Sequence, residues 1–187
     1  ENGKNGLLGY SGFFYDSFST SGPLVDSRIG KTNGKAFWQF QWAFASVAAT
    51  IVSGAVAGRC YTATYLLYAD LITGFIYPTI AHMAWSDDGK FSPMRANRLF
   101  LGCGVVDFAG SGVVHLTGGV AALILPPLAK RRTNRFVKKH VLKARGDSFD
   151  VPDNAATVFR TLGGFILRFG WYGFNGASTL SIQGYGG

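Results

Sequence analysis

Four long apolar blocks, separated by charged connections, constrain this chain more than any other feature of its sequence. Each block has more than 20 residues, and about 20 mostly apolar residues are enough for a helix to cross a bilayer. The blocks lie at about residues 36–57, 61–85, 99–125 and 157–180. They predict an all-α fold, a polytopic membrane protein with four transmembrane helices.

The charges between the blocks predict an orientation. The segment AKRRTNRFVKKHVLKAR (129–145) carries eight Lys and Arg residues and no acid. Such a cluster can bind nucleic acid or mark the cytoplasmic side of a membrane protein, and the apolar blocks favour the membrane. We expect residues 58–60 and 126–156 on the cytoplasmic side, or its organellar equivalent, and residues 86–98 on the other side. A soluble bundle of long buried helices is the less favoured alternative.

The predicted organisation has four parts. Residues 1–35, rich in Gly, Ser and aromatic residues, are predicted to be an external loop segment. Residues 36–125 hold three transmembrane helices with short connections. Residues 126–156 form a basic cytoplasmic or stromal loop that begins with a Pro126-Pro127 helix stop, and residues 157–187 hold the fourth transmembrane helix and a short tail.

The first block carries a ladder of small residues. They recur every four positions, at Ala45, Ala49, Ser53 and Ala57. Residues four apart share one helix face, so this ladder predicts a close approach by a second helix.

Polar residues inside the apolar blocks are the first candidates for function. A charged side chain near the centre of a bilayer costs on the order of 2.5–3.5 kcal/mol on insertion scales, so it usually faces a cavity or a partner. The candidates are Gln41, Asp70, Asp107, His115, Arg168 and Asn175.

His115 and Asp107 belong to the third block. With a helix starting at about Leu99, His115 lies ~16 residues, or ~24 Å, from its outer end. A neutral imidazole at that depth can transfer a proton in a narrow passage or ligate a metal or a pigment magnesium; the plainer alternative is a hydrogen bond to a neighbouring helix. Asp107 can raise cation occupancy near a pore mouth, but capping of free helix N–H groups is the favoured interpretation.

Two further sets of residues in the blocks, one aromatic and one charged, are also candidates for function. Five aromatic residues can stack around a small cation, although plain packing is favoured: Phe40, Phe44, Trp85, Trp171 and Phe174. Asp70 and Arg168 lie at similar depths, ~14 and ~17 Å from the inner ends of their helices. We expect them to form a buried ion pair, with each other or with a partner subunit.

Several runs together resemble the ammonium transporter family, most closely its plant and algal type. They are DFAGSGVVH, FQWAFASVAATIVSGAVAGR, GFIYPTIAHMAWSDDG and FGWYGFNGAS. The resemblance covers about residues 36–180, with the motifs in the family's order, and GLLGYSGFF resembles the family's external loop. It implies a partial ammonium-transporter fold, about helices three to six of the eleven in each protomer of a trimer.

The resemblance also implies a role for individual residues. In the family, ammonium binds at an outer aromatic vestibule, loses its proton and crosses a hydrophobic channel that two histidines line. The matching vestibule residues are Phe40, Phe44, Trp85 and Ser178, with Asp107 as the nearby acid. Phe44 and Phe174 match the outer gate, and His115 matches the first pore histidine. The second pore histidine belongs to a late helix that this sequence does not contain.

Two functions of different classes remain open. The favoured one is a truncated, ammonium-transporter-like membrane protein that does not transport alone and serves as a structural or accessory subunit of a larger, multi-subunit complex. In a photosynthetic complex, chlorophyll, carotenoid or lipid would be its cofactors, and the magnesium ligands would be His82, His115, Gln41 or Asn175. The alternative is an ammonium or ammonia channel with a pore lined by His115, its missing helices supplied elsewhere.

The expected partners follow from these two functions. They are membrane lipids and other transmembrane subunits, or a homotrimer with ammonium as ligand, and no nucleic acid. The expected location is the plasma membrane or an organellar membrane such as the thylakoid. The sequence has no nucleotide loop, metal-ligand cluster or nucleophile–base signature, so we expect neither an enzyme nor a metal site.

Overall fold

The computed structural model describes residues 5–9, 23–26, 30–129, 131–132 and 153–180, and most of these are helical. The chain divides into two compact units, Glu1–Lys130 and Arg131–Gly187. The helical content agrees with the predicted all-α class, with one short hairpin added.

The hairpin precedes the first helix. Strand β1 (Pro23–Asp26) pairs antiparallel with β2 (Gly30–Asn33), and Pro23 lies opposite Asn33. We predicted an external loop segment here, which stays a prediction; the strands were not predicted, because a four-residue strand is too short to show a clear alternation of apolar and polar residues. Helix α1 begins directly after β2, so the hairpin leads straight into the first helix.

Four helical stretches follow the four apolar blocks. The first is α1 (Gly34–Val56), and the second is a continuous helix made of α2 (Thr62–Leu71), a π-helical turn (Ile72–Ile76) and α3 (Tyr77–Trp85). The third is a π-helical turn (Ser111–Leu116) that continues into α4 (Thr117–Ala129). The fourth is α5 (Asp153–Ala177), in the second unit.

The third helix corrects the prediction at both ends. It begins at Ser111 rather than near Leu99, because the preceding stretch is an apolar loop with only a short 3₁₀ turn. Gly104 in that loop has φ +75°, and a Cβ there would lie 2.5 Å from Pro93 Cα. At the other end, Pro126 and Pro127 do not stop the helix, which runs on to Ala129. Their missing N–H groups weaken only its last turns.

Helices α1 and α4 pack closely against each other. A Cβ on Gly118 would lie 2.8 Å from the main-chain oxygen of Ala48 and 2.9 Å from Ile51 Cβ, so only a glycine fits at this contact. The small-residue ladder predicted such an approach, but the buried face is not the ladder itself. The buried residues of α1 are Phe44, Ala45, Ala48, Ala49, Val52 and Val56. Two of them belong to the ladder, Ala45 and Ala49, whereas the ladder residue Ala57 is exposed.

One helix among the described residues, Ser111–Ala129, is long and apolar enough to cross a membrane by length and composition. The other three predicted spans are helical, and their crossing of a membrane stays a prediction. In α5, most described side chains are exposed, including Phe165, Phe169 and Tyr172.

Candidate functional site

A row of three aromatic rings joins α1 to the end of α3. Phe40 and Phe44 lie on successive turns of α1, four residues apart, with ring centroids 4.7 Å from each other. Phe44 meets Trp85 nearly edge-on, at 6.0 Å and an interplanar angle of 75°. Phe44 is only 4% exposed, while Phe40 and Trp85 are half-buried. The structure therefore brings together three of the four residues predicted for the vestibule.

Trp85 is held by the loop before the third helix. Its indole Nε1 donates a hydrogen bond to the main-chain oxygen of Asp107 at 2.7 Å. Gly110 leaves room on this side, because a Cβ there would lie 2.6 Å from Val114 Cγ2 and 3.5 Å from the Trp85 ring. Gly110 also has φ +90°, a conformation that favours glycine. The position of the Trp85 ring thus depends on the main-chain carbonyl of Asp107 and on the lack of a side chain at Gly110.

The side chain of Asp107 caps the third helix. Its Oδ1 accepts the N–H groups of Gly110 and Ser111 at 2.8 and 2.9 Å, and its Oδ2 accepts those of Gly112 and Val113 at 2.9 and 2.7 Å. These groups have no partner within the helix, and a carboxylate also suits the positive end of the helix dipole. The capping role of Asp107 is confirmed, and its role as a pore-mouth charge stays a prediction.

His115 lies closer to the helix start than predicted. It is the fifth residue of a helix that begins at Ser111, so its depth is roughly 6 Å from that end and not ~24 Å. The error follows from the misplaced start of the helix. His115 N–H donates to the oxygen of Gly110 at 2.9 Å, five residues back, which makes the turn π-helical. The half-buried His115 and the cap at Asp107 therefore belong to the same first turns.

His82 occupies a different environment. It is buried, 3% exposed, and its Nε2 lies 2.9 Å from the main-chain oxygen of Asn5. As a magnesium ligand through Nε2 it would have to give up this contact. Of the other proposed pigment ligands, Gln41 is half-buried on α1 and Asn175 is exposed on α5. Pigment binding by these residues and by His115 stays a prediction.

The other residues predicted for the gate, the vestibule and the ion pair lie in the second unit or are exposed. Ser178 and Phe174 are half-buried in the second unit, where the Ser178 hydroxyl donates to the Phe174 oxygen at 2.8 Å. Their share in the vestibule and in a gate with Phe44 stays a prediction. Asp70 is exposed on α2 and Arg168 is exposed on α5. Their predicted ion pair, with each other or with a partner subunit, also stays a prediction.

Two parts of the site were missed by reasoning from the sequence. One is Gly110, which was not singled out although the capping role predicted for Asp107 indicates a helix start nearby. The other is the segment 5–9, where Asn5 Oδ1 accepts the N–H groups of Leu7 and Leu8 at 3.0 and 2.8 Å. The Asn-Gly pair at its start is a turn signal that could have indicated local structure.

The chemistry of this arrangement suits a small cation better than a metal ion. The faces of aromatic rings attract cations, and the Asp107 charge is shared among four main-chain N–H groups. Among the residues that the structure describes, no group of three His, Cys, Asp or Glu side chains could hold a metal ion.

Comparison with known proteins identifies sequence relatives along nearly the whole chain. The Ammonium Transporter Family matches residues 5–186. Ammonium transporter 1 member 2 of Arabidopsis thaliana is 45% identical over 152 residues, which is 80% of this chain and 28% of that protein. Ammonium transporter 1 member 2 of Oryza sativa subsp. japonica is 46% identical over 153 residues, 81% of this chain and 29% of that protein.

A tomato relative gives the same picture. Ammonium transporter 1 member 1 of Solanum lycopersicum is 45% identical over 143 residues, 76% of this chain and 28% of its own length. The chain therefore spans less than a third of the length of these relatives. No solved structure matches it significantly.

Proposed function

Because this chain belongs to the ammonium transporter family, we propose that it forms the part of an ammonium-transport pathway that receives the cation at the outer face of a membrane. The aromatic row Phe40–Phe44–Trp85 is the observation that carries the proposal. Trp85, at one end of this row, contacts Asp107, and Asp107 caps the helix that carries His115. The proposed cation site is therefore joined directly to the start of the helix that carries the proposed pore residue.

The rings supply an attraction suited to ammonium. A cation over an aromatic face gains ~0.5–1 kcal/mol at an exposed site and ~2 kcal/mol when desolvated. Phe40 and Trp85 are half-buried, whereas Phe44 between them is buried. We propose that Phe40 and Trp85 contact the cation first, and that Phe44 has to move aside for passage.

Exposed apolar side chains support four membrane-spanning helices in contact with lipid or with other helices. They occur on all four helical stretches, where water would disfavour them. Those on the helices that are more than half exposed are Trp42, Leu66, Leu67, Leu71, Phe75, Leu116, Leu123, Ile124, Leu128, Val158, Phe159, Phe165, Ile166, Leu167, Phe169 and Tyr172. We propose an integral membrane location, in the plasma membrane or an organellar membrane, and a homotrimer as the assembly.

The transport function has more support than the structural-subunit function that the sequence favoured. The named relatives are ammonium transporters, which also fits the expectation of a non-enzymatic protein. Neither these names nor the described residues point to a photosynthetic complex, chlorophyll or carotenoid. The accessory-subunit function stays a prediction without a supporting observation.

The test is uptake of radiolabelled methylammonium by cells that express the native protein containing this chain and lack other ammonium transporters. We expect saturable uptake, and Phe40→Ala should raise the KM several-fold, since ~1 kcal/mol of cation–π attraction corresponds to about fivefold. Phe75→Ala removes a phenylalanine that is 59% exposed on the second helix and serves as the matched control. Uptake that stays at background for the unmodified protein would contradict the proposed function.

A further inference from the structure

The segment 5–9 lies against the turn that follows α3. Gly6 accepts the Lys90 N–H at 2.8 Å, and a Cβ on Gly6 would lie 3.0 Å from Lys90 N and 3.1 Å from Asp88 O. The two main chains are thus in direct contact. Because Asn5 Oδ1 accepts two N–H groups of its own segment, the segment has a defined local shape when it meets the turn.

His82 connects this segment to the last turn of α3. Its Nε2 lies 2.9 Å from the oxygen of Asn5, and because a carbonyl oxygen only accepts, Nε2 must donate in this contact. The Ser86 hydroxyl is the second neighbour of Nε2, at 3.4 Å. The imidazole is buried, so loss of the contact would leave polar groups without partners at a site that water does not reach.

The same turn carries Trp85, three residues after His82. Ser86 N–H donates to His82 O at 3.2 Å, and Phe91 N–H donates to Met83 O at 2.9 Å. Gly89 is close as well, because a Cβ there would lie 2.5 Å from His82 O. The end of α3 is therefore held by two contacts distant in sequence, one through His82 to Asn5 and one through Trp85 to Asp107.

We propose that His82 is a positioning residue for the outer cation site. By tying segment 5–9 to the last turn of α3, it fixes the orientation of the Trp85 ring against Phe44. The expected effect of His82 on transport rests on the proposed function. The expected effect of His82 on the environment of the Trp85 ring does not, and it can be measured without transport. His82 acts through Trp85 and does not itself touch the cation.

The first experiment compares His82→Gln with His82→Leu in the methylammonium uptake assay. A glutamine amide can reach the Asn5 oxygen from nearly the position of Nε2, whereas leucine keeps volume and loses the donor. We expect His82→Leu to raise the KM about three- to tenfold, the worth of one hydrogen bond, with the maximal rate per folded protein changed less than twofold. His82→Gln should stay within twofold of the unmodified KM.

A double variant tests the route through Trp85. We expect His82→Leu to add less than a twofold change of KM in a Trp85→Phe background. Full additivity of the two effects, or a lowered melting temperature with an unchanged KM, would reduce His82 to a structural residue and overturn the proposal. If His82→Leu does not fold, Gly6→Ala perturbs the docking of the same segment at Lys90 and Asp88, and the same rise in KM is expected.

A fluorescence measurement separates failure of this inference from failure of the proposed function. The chain has four tryptophans, so replacing Trp38, Trp42 and Trp171 by Phe, together with any tryptophan that the native protein has outside this chain, leaves Trp85 as the only emitter. We expect His82→Leu to shift its emission to longer wavelength and His82→Gln to leave it unchanged. If uptake is absent, the shift still supports the positioning role, and identical spectra for all three proteins overturn it.

Discussion

The indole N–H of Trp85 donates to the main-chain oxygen of Asp107 at 2.7 Å, and the Asp107 side chain caps the next helix with both of its carboxylate oxygens. One residue thus fixes an aromatic ring with its main chain and a helix start with its side chain. The outer aromatic row and the start of the helix that carries His115 are joined at this point.

The hydrogen bond of Trp85 predicts the effect of a conservative substitution. Trp85→Phe keeps an aromatic ring beside Phe44 but removes the N–H, which leaves the Asp107 oxygen without this donor. We expect the KM for methylammonium to rise about fivefold, since one hydrogen bond is worth ~1 kcal/mol. The matched control is Trp42→Phe, at a tryptophan that is 55% exposed on α1. Equal KM values for both variants would show that the indole N–H has no part in the site.

The cap at Asp107 predicts a loss of stability. Asp107→Asn keeps one acceptor oxygen but turns an NH₂ group toward two helix N–H groups that previously had an acceptor. We expect the free energy of unfolding in detergent micelles to fall by about 2 kcal/mol. Asp88→Asn, at an exposed position in the turn after α3, should change it by less than about 0.5 kcal/mol. If the two variants have the same free energy of unfolding, the Asp107 cap makes no measurable contribution to stability.

Two adjacent glycines of α4 predict opposite outcomes of the same substitution. Gly118→Ala places a methyl group within 2.8 Å of Ala48 O and forces α1 and α4 apart, whereas Gly119 has no atom within 4 Å of the new Cβ. We expect Gly118→Ala to lower the free energy of unfolding by roughly 1–3 kcal/mol and Gly119→Ala to leave it nearly unchanged. Thermal unfolding of both variants in one detergent checks this difference, and equal midpoints would argue against the close contact.

The backbone conformation of Gly58, just after α1, predicts that a side chain there lowers the stability of the protein. This residue has φ +68°, and although nothing lies within 4 Å of an added Cβ, an alanine is strained in this conformation. Gly58→Ala should therefore lower the free energy of unfolding by roughly 1–2 kcal/mol. Gly54→Ala, one turn earlier and equally open, lacks the positive φ and should be neutral or slightly stabilising. Urea or detergent titration of the pair measures the strain without a change in contacts.

The sequence predicted the helices well where apolar length alone decides. The first two blocks, 36–57 and 61–85, match helices at Gly34–Val56 and Thr62–Trp85 within two residues at each end. The third did not match, because residues 99–110 are apolar but contain glycines that turn the chain. Hydrophobicity reports burial in protein or lipid and does not distinguish an apolar loop from an apolar helix.

The site was predictable in part for a similar reason. Phe40 and Phe44 are four residues apart, so helical spacing places them on one face of α1. The Trp85–Asp107 contact joins residues 22 positions apart through a main-chain oxygen, which no residue pattern encodes. The docking of Asn5 on His82 spans 77 positions and again uses a main-chain oxygen.

The π-helical turn at Ile72–Ile76 has a consequence for the faces of the second helix. Such a turn amounts to one extra residue, and one residue corresponds to a rotation of ~100° about the helix axis. The rotational phase of Trp85 relative to Tyr68 is therefore set by the length of this turn. Removing one residue there, for example Gly74, would restore the regular helix and swing the whole end of α3 by about a quarter of a turn, so the outer ring would point elsewhere although every side chain of the site was still present.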